Sequence, residues 1–278
     1  VCLRCDGGVP ADDNGEQTWI LYCFDKTTGK ILWQRTAKKA IPRGRRHPKG
    51  SRANQTIATD GQRLIVFLGS EGVYSYDLDG NLLWKKDLGF IHAAPINYGG
   101  GDWQLGTASS PILFEDTVVL QVDQGPGARG VATQGSFLMA LTAEDGDELW
   151  RTSREGVSSQ SWASPTVVRS GDRTQVVLNG WPHVAGYDLN SGKELWRLRS
   201  AGDVPAATPV FSNGLIYVLG SHGPGYPLFA IFPDASGDIT PEEGSTESSG
   251  LAWYVPRNVQ ETMATPLILD NLVYSIAD

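Results

Sequence analysis

Five glycine-to-tryptophan turns recur along the chain, and they constrain its fold more than any other feature. They read FDKTTGKILW (24–33), YDLDGNLLW (76–84), LTAEDGDELW (141–150), DLNSGKELW (188–196) and, with an insertion, IFPDASGDIT…LAW (231–253). In four copies Gly29, Gly80, Gly146 and Gly192 stand four residues before Trp33, Trp84, Trp150 and Trp196. In the fifth, TPEEGSTESSG separates Gly237 from Trp253. Glycine takes the φ > 0 position that other residues resist, and a neighbouring Asp, Asn, Ser or Thr favours the turn. Each copy therefore predicts a tight hairpin.

A second element alternates with the first. It reads SSPILFEDTVVLQV (109–122), ASPTVVRSGDRTQVVL (163–178), ATPVFSNGLIYVLG (207–220) and ATPLILDNLVYSI (264–276). QTIATDGQRLIVFLG (55–69) is a degenerate copy with Ile57 in place of proline. Each is a β run, a polar turn and a second β run. Pro111, Pro165, Pro209 and Pro266 open their strands, where a missing N–H disturbs the ladder least. Joined to the tryptophan hairpins, these pairs make four antiparallel strands per unit. The tryptophans are spaced 51, 66, 46 and 57 residues apart, which is the period of propeller blades with inserts.

The expected fold is all-β: a β-propeller of four-stranded antiparallel blades in one domain, 1–278. It has a blade part at 1–35, blades at about 53–89, 107–155, 162–200 and 206–256, and a blade start at 263–278. Unsatisfied sheet edges at both ends make the window a fragment of a seven- or eight-bladed ring. Trp33, Trp84, Trp150, Trp196 and Trp253 then have a structural task, wedging each outer strand against the next blade.

Ala-Ser/Thr-Pro at strand starts, combined with Asp-x-x-Ser/Thr-Gly-Lys-x-Leu-Trp, resembles the quinoprotein, or PQQ-like, β-propeller repeats, a relative in architecture of WD40-like repeats. The likeness covers essentially the whole chain and is nearest to secreted bacterial PQQ-binding-like repeat proteins. It implies two branches: PQQ- and calcium-dependent alcohol or sugar dehydrogenases, and cofactor-free scaffolds such as the propeller lipoprotein of the outer-membrane β-barrel assembly machinery. The vicinal Cys-Cys pair of many PQQ alcohol dehydrogenases is absent from this sequence.

Loop length separates the two faces. Turns between strands one and two, and three and four, are short. The variable connections at 6–18, 34–55, 85–109, 123–136 and 221–227 fall together on the opposite face. Long loops on a rigid scaffold are where binding concentrates. At the strand mouths of that face the candidates are Arg52, Asn54, Asp123, Gln124, Trp162, Asn179 and Trp181. A quinone site needs a carboxylate base, oxygens for calcium and a flat stacking group. Asp123 would supply the first, Asn179 an oxygen, and Trp162 or Trp181 the stack. The structural reading is that these groups satisfy strand ends in a narrow channel.

Other signals point away from chemistry. GPGARG (125–130) matches G-x-G-x-x-G, but a strand rather than a helix follows, so no helix N-terminus cradles a phosphate. DASGDITPEEGS (234–245) lacks the glycine and glutamate of a calcium loop and is read as a solvated insert. One C-x-x-C at Cys2 and Cys5 is no zinc site. Cys2 lies opposite Cys23 as a disulfide candidate, or all three remain free thiols. His47, His92, His183 and His222 are scattered over four loops without metal-ligand spacing. KKAIPRGRRHPKGSR (38–52) carries seven Lys or Arg and is either a flexible solvated loop or an anchor for an anionic partner. No catalytic residue and no metal ligand is assigned.

A net charge of −8 argues against nucleic acid as a partner, and no apolar run is long enough to span a bilayer. The leading expectation is a non-catalytic, extracytoplasmic module, periplasmic, secreted or associated with the outer membrane, without cofactor. Its partner, a protein, a polysaccharide or another ligand, binds on the loop-rich face. The alternative is a PQQ- and calcium-dependent dehydrogenase of alcohols or sugars.

Overall fold

The computed structural model describes residues 1–6, 15–46, 50–93, 103–104, 106–125, 135–157, 161–200, 205–220, 227–256 and 263–276. They form a β-propeller arrangement of six successive sheets. The first has three strands, β1 (Cys2–Asp6), β2 (Gln17–Phe24) and β3 (Ile31–Ala40). After the short β4 (Arg45–Arg46) comes a sheet of β5 (Ala58–Thr59), β6 (Arg63–Phe67), β7 (Val73–Asp77) and β8 (Leu82–Lys86). β9 (Trp103–Gln104) pairs in parallel with β4.

The third sheet holds β10 (Ile112–Phe114), β11 (Thr117–Val122), β12 (Phe137–Thr142) and β13 (Glu148–Ser153). The fourth holds β14 (Thr166–Ser170), β15 (Arg173–Leu178), β16 (His183–Asp188) and β17 (Glu194–Arg199). The fifth holds β18 (Val210–Ser212), β19 (Leu215–Leu219), β20 (Leu228–Ile231) and, after β21 (Gly237–Asp238), β22 (Leu251–Val255). A hairpin of β23 (Leu267–Leu269) and β24 (Leu272–Tyr274) is the sixth.

Both faces of a blade are covered by neighbours, so middle strands are apolar runs rather than alternating ones. FLMALT of β12 is buried at five successive residues. Apolar cores lie in the seams. Ile65, Phe67, Val118, Leu120 and Met139 fill the seam of sheets two and three. Val177, Leu198, Ile216 and Phe229 fill that of sheets four and five. First strands of neighbouring sheets touch one another, which puts them innermost.

The tryptophan turns clasp these seams. The indole N–H groups of Trp33, Trp84 and Trp150 donate to Leu78 O, Ala143 O and Leu189 O of the next sheet at 2.9 Å each. Beneath each ring lies the next sheet's turn glycine. A Cβ on Gly146 would stand 2.6 Å from Trp84, and one on Gly192 would run into the Trp150 ring. Two residues beyond the tryptophan, Arg35 Nε, Lys86 Nζ and Thr152 Oγ1 donate to the carbonyls of Gly80, Gly146 and Gly192. The glycines thus serve close approach as well as positive φ.

Trp196 and Trp253 differ. Trp196 Nε1 donates to Gln175 Oε1 of its own sheet, and Leu198 replaces the polar residue two positions on. The inserted segment supplies the tie instead, with β21 joining β17 in parallel, Trp196 opposite Gly237 and Arg197 opposite Asp238. The insert around 234–245 is therefore not simply solvated: Ala235 and Ile239 are buried in the apolar cluster of sheets four and five. Trp253 is partly exposed and packs on Tyr217 at 5.9 Å between ring centroids.

The Ser/Thr before each strand-opening position has a use that local sequence does not disclose. Thr56 N–H donates to Ser110 Oγ, Ser110 N–H to Ser164 Oγ, and Thr208 N–H to Thr265 Oγ1. Each hydroxyl satisfies a backbone donor of the preceding sheet, a second set of inter-blade ties near the axis.

Three further expectations are corrected. Cys2 pairs with Tyr22, which puts it and Cys23 on opposite faces of the first sheet, and no disulfide joins the three cysteines. The basic segment is not simply a flexible loop: Lys38 and Lys39 belong to β3, Arg45 and Arg46 to β4. Lys38 pairs with Glu71 at 2.6 Å, Lys39 with Glu16 at 2.9 Å and Arg43 with Asp87 at 2.5 Å. His183 begins strand β16 instead of lying in a loop. Within GPGARG only Gly125 is described, and strand β12 follows it; His47 and His222 lie outside the described residues.

Candidate functional site

Two clusters occupy the mouths of the strands on the long-loop side. The first lies between sheets three and four. Asp123, just past β11, is fully buried with Arg154, just past β13, at 2.7 Å. Arg154 Nη2 reaches the second Asp123 oxygen at 3.3 Å, and Gln121 Nε2 donates to that oxygen at 2.8 Å. Arg154 Nη1 donates to the Tyr187 hydroxyl at 3.1 Å, and that hydroxyl donates to Glu194 Oε2 at 3.3 Å.

Gly180 gives this pair its room, since a Cβ there would collide with Arg154 Nη2. Burial alone would lower the Arg154 pKa, but the Asp123 carboxylate and Tyr187 outweigh it and hold the guanidinium above its ordinary range. Burial pushes the Tyr187 phenol up against the pull of Arg154. His183, on the same cavity wall, is lowered by burial and then by Arg197 and Arg154.

Asn179 is fully buried, and its amide N–H donates to Ala207 O at 2.8 Å and Leu219 O at 3.0 Å. Gln124 ties its own loop: Oε1 accepts from His92 N–H at 3.0 Å and Nε2 donates to Gly135 O at 2.6 Å. Ser136 Oγ accepts from Gln124 N–H and donates to Val157 O. These connections are stapled to the scaffold.

The second cluster is a small cleft of about 60 Å³ between sheets one and two, lined by Trp19, Arg52, Gln55, Ser70, Glu71 and Thr107 among others. Arg52 Nη2 donates to Gly44 O at 2.6 Å, and Trp19 Nε1 to Arg52 O at 3.1 Å. Gln55 Nε2 donates to Thr107 O and Oγ1 at 2.6 and 2.7 Å. Asn54 is exposed, with its amide on Ser51 O. Trp162 Nε1 donates to Gly106 O at 3.1 Å, and its backbone N–H to Pro205 O. Half-buried Trp181 precedes Pro182, whose carbonyl accepts from Ser200 N–H.

Sequence position alone thus brings Asp123, Gln124 and Asn179 near one mouth but leaves out their partners Gln121, Arg154 and Tyr187. Arg154 carries no local signal, because its partner is 31 residues away.

These residues do not fit a quinone with calcium as arranged. Both Asp123 oxygens are engaged by Arg154 and Gln121, a cationic neighbour opposes a bound cation, and Asn179 is oriented by two carbonyls. Among the described residues no three of His, Cys, Asp and Glu converge as metal ligands. No helix among them is long and apolar enough to cross a membrane.

A family model described as "Outer membrane protein assembly factor BamB" matches residues 17–129 and 134–231. Among solved structures, BamB from Moraxella catarrhalis is similar with TM-score 0.54 and 14% identity, over 93% of this chain and 63% of that one. Quinohemoprotein alcohol dehydrogenase from Comamonas testosteroni matches with TM-score 0.47 and 12% identity, over 80% of this chain and 40% of that one. The chain therefore spans less than two thirds of the length of either. No curated protein matches its sequence.

Proposed function

The chain belongs to the PQQ-like propeller family described as outer membrane protein assembly factor BamB, and from that premise we propose that it is a non-catalytic scaffold. It works outside the cytoplasm and binds a protein partner through its long-loop face. The observation that carries this reading is the way the loops of that face are joined. β4 and β9 pair across two long connections, Gln55 holds Thr107, and Trp162 holds Gly106. Gln124 holds the 123–136 connection to His92 and Gly135. Loops tied to one another present one surface across several sheets, and such preorganisation lowers the entropy lost on binding. Membership of the family supports an outer-membrane assembly role, with a periplasmic or outer-membrane-associated location.

The test uses the full-length protein carrying this chain in its native host. A photo-cross-linking residue at exposed Asn54, on the long-loop side, is expected to capture an outer-membrane assembly protein. The same residue at Thr27, in the β2–β3 turn of the opposite face, is expected to capture none. Equal capture from both positions, or capture from neither, overturns the reading. So does micromolar binding of PQQ with calcium accompanied by dye-coupled oxidation of alcohols or sugars.

A further inference from the structure

Along the flank of the described residues, the chain itself fills the groove between sheets four and five, and no described residue fills the equivalent groove between sheets one and two. The filled groove lies between sheets four and five. There β21 runs in parallel beside β17, with Arg197 opposite Asp238. Ile239 N–H donates to Arg197 O at 2.9 Å, and Arg199 N–H to Thr240 Oγ1 at 3.0 Å. Ile239 itself is 2% exposed, in one cluster with Leu198, Phe229 and Leu251. An extended segment with an acidic residue and an apolar anchor thus completes that flank.

The open groove lies between sheets one and two and has a volume of about 450 Å³. Its walls are Ala37 and Lys38 of β3 and Lys85, Lys86 and Asp87 at the end of β8, with Tyr74 of β7 between them. The registers make the two grooves equivalent. Ser75 faces Trp84 and Tyr74 faces Lys85, as Ala230 faces Trp253 and Phe229 faces Tyr254. Tyr74 therefore stands where Phe229 stands beside the anchor Ile239.

Two features of the open groove choose its occupant. The first is charge. Glu71 and Asp87 are already held by Lys38 and Arg43, and Lys86 donates to Gly146 O. Lys85 is exposed and has no partner among the described residues, in a chain whose net charge is −8. The second is the strand edge. β3 runs for ten residues against five or six in β8, β13, β17 and β22, and among the described residues no strand pairs on its far side from β2. Unpaired backbone along such an edge is a template for a further strand. A lipid headgroup has no use for it; a polypeptide does.

We propose that the groove between sheets one and two docks an extended acidic segment of a protein partner, laid along β3 as a further strand with an apolar side chain over Tyr74. This surface lies on the flank at the long-loop end of the seam, where Glu71 lines both it and the cleft of the long-loop side, and it rests on Lys85 and the β3 edge rather than on the joined loops.

The probe is a fluorescent peptide of residues 234–242, DASGDITPE, the segment that carries β21. It is titrated by anisotropy against the protein carrying this chain. Saturable binding is expected, weakened roughly fivefold or more by Lys85→Glu, a change at an exposed side chain. A peptide with lysine at its three acidic positions is expected not to bind. Exchange into the groove of sheets four and five would ignore Lys85, so binding unchanged by Lys85→Glu overturns the proposal. Absence of saturable binding overturns it too. Phosphatidylglycerol vesicles provide the last arm: binding to them that is equally sensitive to Lys85→Glu would make the groove a lipid site and refute the peptide assignment.

Discussion

At the residue scale, the Asp123–Arg154 pair is the most consequential charge interaction in the described chain. Both side chains are buried to within 1% of complete, so removing one partner leaves an uncompensated charge in a low-dielectric seam. Arg154→Met is expected to destabilise by about 3–5 kcal/mol, measured by urea unfolding, while replacing Asp123 and Arg154 together with apolar residues of similar volume costs less. His183 supplies a pH dependence. Burial, then Arg197 and Arg154, lower its folded-state pKa, with Glu194 and Asp238 opposing. A base with a depressed folded pKa takes its proton preferentially in the unfolded chain. Stability is therefore expected to fall as pH drops below the unfolded value of about 6.5. His183→Gln is expected to flatten that part of a stability-against-pH curve. Arg154 was not legible as the partner of Asp123: strand-end polarity was visible in the sequence, but which strand end meets which depends on blade-to-blade packing.

At the level of the element, the repeat turn does two jobs that mutation can separate. Gly29 (φ +70°) has nothing within 4 Å of the point where a Cβ would stand, whereas at Gly192 (φ +69°) the Trp150 ring already occupies that point. Alanine at Gly29 is expected to cost only the left-handed backbone penalty, about 1–2 kcal/mol. Alanine at Gly192 adds overpacking of about 1–3 kcal/mol, so thermal or urea unfolding is expected to rank Gly192→Ala well below Gly29→Ala. The hydroxyl ties have their own signature. Ser164→Ala removes the acceptor of Ser110 N–H and is expected to cost about 1 kcal/mol. The hairpins were readable because glycine and its polar neighbours act locally. The role of β21 was not, since pairing across an insert follows from the groove it fills rather than from its own composition.

Across the molecule, each sheet packs on its neighbours, with one apolar core per seam. Effects in separate seams are then expected to add. Gly146→Ala, between sheets two and three, combined with Arg154→Met, between three and four, is expected to equal the sum of the single changes to within about 0.5 kcal/mol in urea unfolding. A larger discrepancy would mean that strain passes through the third sheet. The blade itself is written along the chain: turn glycines, strand-opening prolines and β-rich runs at a repeating interval are local or periodic signals, and they suffice for an all-β propeller. What happens between blades is settled by packing. That covers which indole reaches which carbonyl, that Trp196 turns inward while an insert replaces its clasp, that Asp123 is held by Arg154, and that one flank groove is filled by β21 while no described residue fills its equivalent. Those outcomes depend on contacts between residues some 20 to 60 positions apart, and a contact at that separation leaves no period in the sequence for a reader to find.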